Sequence, residues 1–598
     1  MPIKDLPIFC AFDKQRFDQF GSMDCANFYA VQNEVSKRQQ ALYPALGRKH
    51  VRFLNRNRLI FDKQPRAVFK SIDYVYVFVD VDVYRVDSRY NLRRLTNTSN
   101  FISNNDNIWF DFLPVGDEVK CLFADGTDLW LINEKGGNST LTNVSAAVRS
   151  GANSATLPNN PTFVASFGNR FVVSTKDSPQ FALTTINLSG ATENVFAIND
   201  APLFARASGI VRQFAVLNNQ LYIFTDYTTD IWANIPTRIT VAGETAEFPW
   251  KLNTSYNWDY GIADPFSLDV NFGRVTWLSK NRNGLVSIMT STGQRPENIS
   301  SQAVDVLLTA NAQDETTADF LVSNSNGFLY EYENTLLYRF SNEALFDFGS
   351  ETLADSASAL EYNFNTKTWS RVIEYDGTRN KAERHVFYNN KHLVTVDGEG
   401  TIYELSGLTY TNEVRNPLQD DNQADDAYIA YPMRYELVTP QIYEKDYSEF
   451  ITDYIEIDFV FGSQTFYKYQ GAFKNTVYLI TEDSDPDNPT YIEAEDSTVD
   501  NPIFIEVDGT DTPAIDEINY RNLFKPHIEL FLSDDGGITF ESCDKREFSP
   551  LGNYRWRMRW YELGASRNRV YKLVCVAPCP IVILGGAQNL RRSSGGAN

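Results

Sequence analysis

Apolar and polar residues alternate along this chain in short bursts separated by turn residues, and residues 259–308 give the clearest unit. Residues 275–278 read as a strand, 280–284 as a turn whose Asn and Gly tolerate positive φ, and 285–289 as the returning strand. Residues 291–293 turn the chain again. Residues 302–308 then form either a further strand or a short helix, for which Ser300 and Ser301 supply a suitable N-cap.

The same pattern recurs on both sides of this unit. Residues 74–84 alternate at period two. Hairpins are predicted for 119–124 with 129–132, 162–167 with 170–174, 213–217 with 220–225, and 320–323 with 328–332. They continue with 359–364 and 369–372, then 385–388 and 392–396. Radial repetition of such hairpins over residues 51–410 predicts a β-propeller of roughly six to eight blades, an arrangement that leaves only short sheet edges.

Outside that region the pattern changes. Residues 1–50 have little periodicity but many aromatic and aliphatic side chains, and read as an extended N-terminal arm that crosses the body or reaches a neighbouring subunit. Residues 411–430 gain carboxylates and lose alternation, marking a linker. Strand signals resume over 431–590 and predict a β-sandwich of jelly-roll type, interrupted by an acidic, Pro-punctuated insertion at 482–517. A small, basic, flexible tail is expected at 591–598. The fold class is therefore all-β: an irregular β-propeller followed by a β-sandwich, with an extended N-terminal arm.

Composition fits strands, with 14% aromatic residues including 32 Tyr and 41 Phe. The net charge of −23 argues against a protein that grips nucleic-acid phosphates, because such binding rests on clustered Lys and Arg. No run of about 18 apolar residues is present, so no membrane-spanning segment is expected, and the N-terminus lacks the pattern of a secretory signal.

Candidate chemistry is sparse. The six cysteines are scattered and read as reduced core thiols; Cys575 and Cys579 have no second pair or histidine beside them in the sequence. His385 and His392 flank one hairpin, without metal-ligand spacing. Asp80 and Asp82 read as a solvated strand face. There is no nucleophile elbow and no phosphate loop, so no catalytic, metal or cofactor residue is assigned and no cofactor is expected. Ser533, Asp535, Gly537, Thr539 and Phe540 fit the Asp-box pattern SxDxGxT[WF], in which the Asp caps a tight hairpin and the aromatic packs beneath it; the role is structural. Two-carboxylate glycosidase chemistry is the enzymatic alternative among so many acids.

Several segments in the same order along the chain resemble the tail hub or nozzle proteins of short-tailed phages, also called packaged DNA stabilisation proteins or tail accessory factors. They are residues 1–7 with 42–47, residues 168–170 with 175–177, and residues 261–263 through Gly284 and Val286 to 299–305. At the end of the chain they are 531–540, 557–560, 563–564, 567–573 and 580–582. The resemblance implies a non-enzymatic virion protein, made in the host cytoplasm, that forms a homo-oligomeric, hexameric ring in the phage tail. Such a ring lies below the portal-adaptor protein, carries tail fibre, spike or needle proteins, seals the packaged DNA and conducts it during ejection. Duplex DNA carries about one negative charge per 1.7 Å of axis, so an acidic lumen lets it pass as a non-specific passenger where a basic sleeve would hold it. In this reading the sites are interfaces: Ile3, Leu6 and Phe9 of the arm, an aromatic loop near Phe181, and Asp483, Asp485 and Asp487 facing the lumen or a fibre. Removal of residues 1–12 is expected to impair assembly and leave the propeller folded. The rival class is a propeller-type tail glycosidase or carbohydrate-binding protein.

Overall fold

In the computed structural model, antiparallel blades of four or five strands follow one another from residue 65 to residue 406. The structure describes residues 4–592 apart from 15–21, 33–39, 54–60, 62, 97–101, 104–106, 151–157, 189–191, 193–194, 199–200, 203, 242–243, 254–256, 313–324, 343–357, 416–427, 445, 447, 462–526 and 548–554. The first blade runs from Pro65–Lys70 to Leu92–Arg94, the second from Trp109–Val115 to Asn138–Asn143, and the third from Pro161–Phe167 to Phe204–Arg206. The fourth runs from Val211–Leu217 to Lys251–Leu252, the fifth is built on Arg274–Lys280 and Val286–Ser291, and the sixth runs from Ser325–Tyr332 to Thr368–Val372.

The seventh blade takes its first three strands from Ala382–Tyr388, Lys391–Val396 and Ile402–Ser406. Its outermost strand is Gly47–His50, from the N-terminal region. The ring is thus fastened by pairing its last sheet with a strand that precedes its first. Gly47 is required at that join, because a Cβ there would lie 2.2 Å from the carbonyl oxygen of Thr409.

Two local features make the blades. Several inner hairpins turn on two residues that both have positive φ, such as Asn218 (52°) with Asn219 (57°) and Asn389 (50°) with Asn390 (58°). This geometry matches the right-handed twist of the flanking strands. The strands that follow are apolar on both faces, because each sheet is covered by a neighbour on each side. Buried side chains accordingly group between consecutive blades. Phe78 meets Phe123, Phe171 packs with Leu122, Phe224 meets Trp277, Leu278 packs with Phe340, and Tyr330 with Tyr403. Leu393 packs with Val77 and closes the circle between the seventh and first blades.

The segment left open as strand or helix is the helix Gln302–Ala312. Ser301 Oγ accepts from Val304 N at 3.3 Å, and Ala303, Val304, Leu307 and Leu308 are buried between the fifth and sixth blades.

The second body is a sandwich. One sheet holds Phe28–Gln32, Gln40–Pro44, Ile581–Arg592, Phe450–Phe461 and Arg555–Tyr561 in that order. The facing layer holds Ser22–Ala26, Tyr428–Val438, Val570–Ala577, His527–Ser533 and Glu541–Glu547. Leu42, Ile455, Phe459, Trp560 and Ile583 from the first sheet meet Tyr435, Leu437, Leu530 and Leu573 from the second.

Of the two readings of residues 1–50, the described residues take the first and cross this chain's own body, and two other sequence boundaries are corrected. Lys4–Leu6 pairs with Ile581–Arg592, and Ser22–Ala26 lies between the sixth blade and Tyr428–Val438. Their scattered apolar side chains fill this chain's own cores, which is why they lack the periodicity of a separate element. The linker at 411–430 begins and ends in strands, since Thr411–Arg415 pairs with Tyr428–Val438. The tail at 591–598 begins inside the strand Ile581–Arg592, where Arg591 Nε lies 2.7 Å from Asp453.

Propeller and sandwich share backbone. Ser22–Ala26 touches the sixth blade through Ala26 and Arg371, and Thr411–Arg415 touches the closing strand through Asn412 and Arg48, so one sheet continues from blade to sandwich and back. Arg371 reinforces the join, with its Nε 2.9 Å from Asp24 and its Nη2 3.5 Å from Glu436.

Candidate functional site

Innermost strands of a propeller converge on its axis, and here they line a cavity of about 250 Å³. Lys70 from the first blade, Asp111 from the second, Asp269 from the fifth, Phe328 from the sixth and Arg384 with His385 from the seventh all border it. A stack of side chains borders this cavity: the Phe266 ring lies 4.4 Å from Trp109 at 24°, and the Arg384 guanidinium carbon lies 3.2 Å from the Phe266 centroid. Three elements far apart in sequence thereby meet at the wall of the cavity.

The axial carboxylates are engaged in joining blades. Asp111 accepts from the Ser166 backbone N–H at 2.6 Å and from its hydroxyl at 2.9 Å, linking the second blade to the third. Asp264 accepts from Phe266 N at 2.8 Å and Ser325 N at 3.1 Å, and Asp269 accepts from Leu329 N at 2.7 Å, linking the fifth to the sixth. Burial raises all three above the ordinary carboxylate range, Asp264 to about 7 and Asp269 to about 6, against the lowering effect of those amide hydrogen bonds.

His385 and His392 do come together, with Nε2 and Nδ1 3.1 Å apart. Burial lowers the pKa of both, and each charge would oppose the other, so the pair is neutral with one ring donating to the other. Beside them Arg339 Nη2 lies 2.9 Å from Glu361, a buried ion pair that Tyr330 joins through its hydroxyl. Among the described residues no group of three or more His, Cys, Asp and Glu is placed to hold a metal ion. No helix among them is long and apolar enough to cross a membrane.

The candidate interface residues fare differently. Leu6 is 4% exposed and packs inside the sandwich, so it is unavailable to a neighbour, whereas Phe9 is 49% exposed. Phe181 is corrected: it lies in the strand Gln180–Leu183, fully buried, with its ring edge-on to Phe214, Trp232 and Phe248. The period-two alternation of that strand turns it inward between the third and fourth blades. Ile3, Asp483, Asp485 and Asp487 lie outside the described residues.

In the Asp-box-like turn the carboxylate caps the hairpin. Asp535 accepts from the Ser533 hydroxyl at 2.6 Å, the Thr539 hydroxyl at 2.6 Å, and the backbone amides of Ile538 and Thr539 at 3.0 Å. Slight burial raises its pKa, but these donors outweigh that and hold it well below the ordinary range. Gly536 and Gly537 supply φ of 84° and 104°, and Lys572 Nζ lies 5.9 Å from the Phe540 centroid. The turn joins two strands of the sandwich and lies outside the propeller. Asp80, read as part of a strand face, instead occupies the turn after Val75–Val79 with φ 51°, while Asp82 pairs with Arg94 at 2.6 Å.

The fold and these sites define an all-β protein, a seven-bladed propeller among the described residues, joined to a β-sandwich. No protein-family model and no curated protein matches the chain. Among solved structures it is similar to the Pan2 WD40 domain of Neurospora crassa, at 8% identity over 61% of this chain and 95% of that one, with a TM-score of 0.34. It is also similar to the coronin WD40 domain of Toxoplasma gondii, at 11% identity over 69% and 92% with a TM-score of 0.30. The N-terminal domain of Nup159 aligns at 10% identity over 63% and 97%, also with a TM-score of 0.30.

Proposed function

We propose that this chain is a structural subunit of a short phage tail, a hub or nozzle protein that assembles as a ring and conducts DNA without catalysing a reaction. The observation that carries the reading is the fusion of propeller and sandwich into one sheet-connected body. A propeller that works on a small molecule uses its axial cleft. Here the axial carboxylates are committed to latching blades together and a Trp109–Phe266–Arg384 stack borders the axial cavity, which favours the outer faces as the working surfaces. The ordered sequence resemblance to tail hub proteins supplies the class of assembly. DNA then passes through a lumen between subunits, and the net charge of −23 per chain, repeated round a ring, favours sliding over retention.

The test is to co-express the full chain with its portal-adaptor protein and record native mass spectra. A discrete ring of this chain on the adaptor supports the proposal. A chain that stays monomeric beside the adaptor and depolymerises a polysaccharide overturns it in favour of a tail-borne glycosidase.

A further inference from the structure

Cys10 and Cys25 sit fifteen positions apart, are 2% and 0% exposed, and place their sulfur atoms 2.7 Å from one another. Cys25 belongs to Ser22–Ala26, the strand wedged between the sixth blade and the sandwich. Cys10 follows Lys4–Leu6, which is hydrogen-bonded to Ile581–Arg592 in the opposite layer. The two thiols therefore meet where the N-terminal segment crosses from one sandwich layer to the other, inside the core that holds Phe28, Tyr435 and Ile457.

The other four cysteines have different surroundings. Cys121 donates to Glu134 at 3.3 Å between the first two blades, Cys543 is exposed, and Cys575 and Cys579 lie near and just beyond the end of the strand Val570–Ala577.

We infer that Cys10 and Cys25 are a covalent modification site, oxidised to an intramolecular disulfide that fastens the N-terminal segment across the sandwich. With a small-molecule disulfide such as oxidised glutathione as oxidant, one protein thiolate attacks a glutathione sulfur, forming a mixed disulfide and releasing one glutathione thiolate, which takes up the proton. The second protein thiol loses its proton and attacks the mixed disulfide at the protein sulfur, releasing the second glutathione. Two protein thiols are oxidised, one glutathione disulfide is reduced, and both protons end on glutathione. Burial, with Cys10 and Asp24 nearby, raises the Cys25 pKa and disfavours its thiolate in the folded chain. Exchange consequently proceeds while the N-terminal segment is undocked, and docking then shields the bond. The cross-link restricts the unfolded chain over a short loop and so stabilises the attachment of residues that also carry the propeller's closing strand.

The test uses the full chain in three arms: kept in reductant, exposed folded to oxidised glutathione, and refolded from urea in oxidised glutathione. Each arm is denatured with iodoacetamide, digested and read by mass spectrometry. The expected result is a Cys10–Cys25 linked peptide, two hydrogens lighter than its reduced parts, dominant in the refolded arm and absent in reductant. The oxidised chain should also melt several degrees above the reduced one, a difference that Cys10→Ser and Cys25→Ser each abolish. Alkylation of both cysteines in all three arms overturns the inference, as does a link from either one to a different cysteine.

Discussion

Arg48 and Glu374 form a bidentate ion pair, with Nη1–Oε1 2.8 Å and Nη2–Oε2 3.2 Å, and their side chains are only 2% and 7% exposed. Arg48 lies on the strand that closes the seventh blade, and Glu374 follows the last strand of the sixth. The pair therefore ties the N-terminal region to the ring where it is fastened. Glu374 also accepts from Asn380 Nδ2 at 3.1 Å and Lys381 N at 3.2 Å, so its oxygens remain committed to this site.

Removing one partner of a buried pair leaves the other charge uncompensated, at a cost of about 3–5 kcal/mol. Arg48→Ala should show a loss of that order in urea unfolding, and Arg48→Met with Glu374→Leu should recover much of it. A loss below about 1 kcal/mol for Arg48→Ala would mean that the ring does not depend on this closure.

The position of Phe12 changes what truncation should do. Its backbone N–H donates to Trp369 O at 2.7 Å, and its ring is 5% exposed among Leu278, Leu329 and Trp369. Deleting residues 1–12 should therefore destabilise the fifth and sixth blades as well as impair assembly, contrary to the expectation from sequence. Phe12→Ala alone should cost about 3–5 kcal/mol. Thermal melts of both variants check this, and an unchanged melting temperature would show that the segment is not part of the propeller core.

Asp264 and Asp269 give the axis a pH dependence. Burial raises their pKa values to about 7 and about 6, above the unfolded value of about 3.9. A carboxyl shifted upward favours folding fully below its unfolded pKa, and that contribution is lost as pH rises through the folded pKa. The stability of the wild type relative to Asp264→Asn should accordingly fall between about pH 4 and pH 8, by roughly a few kcal/mol. Urea titrations across that range measure it. Parallel pH profiles for the two proteins would show that Asp264 ionises in the fold without penalty.

Much of the fold can be read from local pattern. Asn218–Asn219 and Asn389–Asn390 mark hairpins through their tolerance of positive φ, and Ser533 to Phe540 specify their turn through side-chain donors around one carboxylate. What escapes such reading is non-local. Gly47–His50 finds its partner at Ile402–Ser406, and no residue in that short strand encodes so distant a pairing. Phe181 reads as part of a loop because the brief strand Gln180–Leu183 offers too few residues to reveal its alternation. The stack of Trp109, Phe266 and Arg384 depends on three blades meeting, and each residue alone carries no signal in the sequence.

The central claim is that this body is one repeat of a ring around passing DNA. A cryo-electron microscopy map of the tail of phage particles carrying this chain tests it most directly. The account predicts copies of the propeller–sandwich body arranged in a ring below the adaptor, with a negatively charged lumen between them. Absence of the chain from the particle, or a ring whose lumen is lined with positive charge, would contradict it.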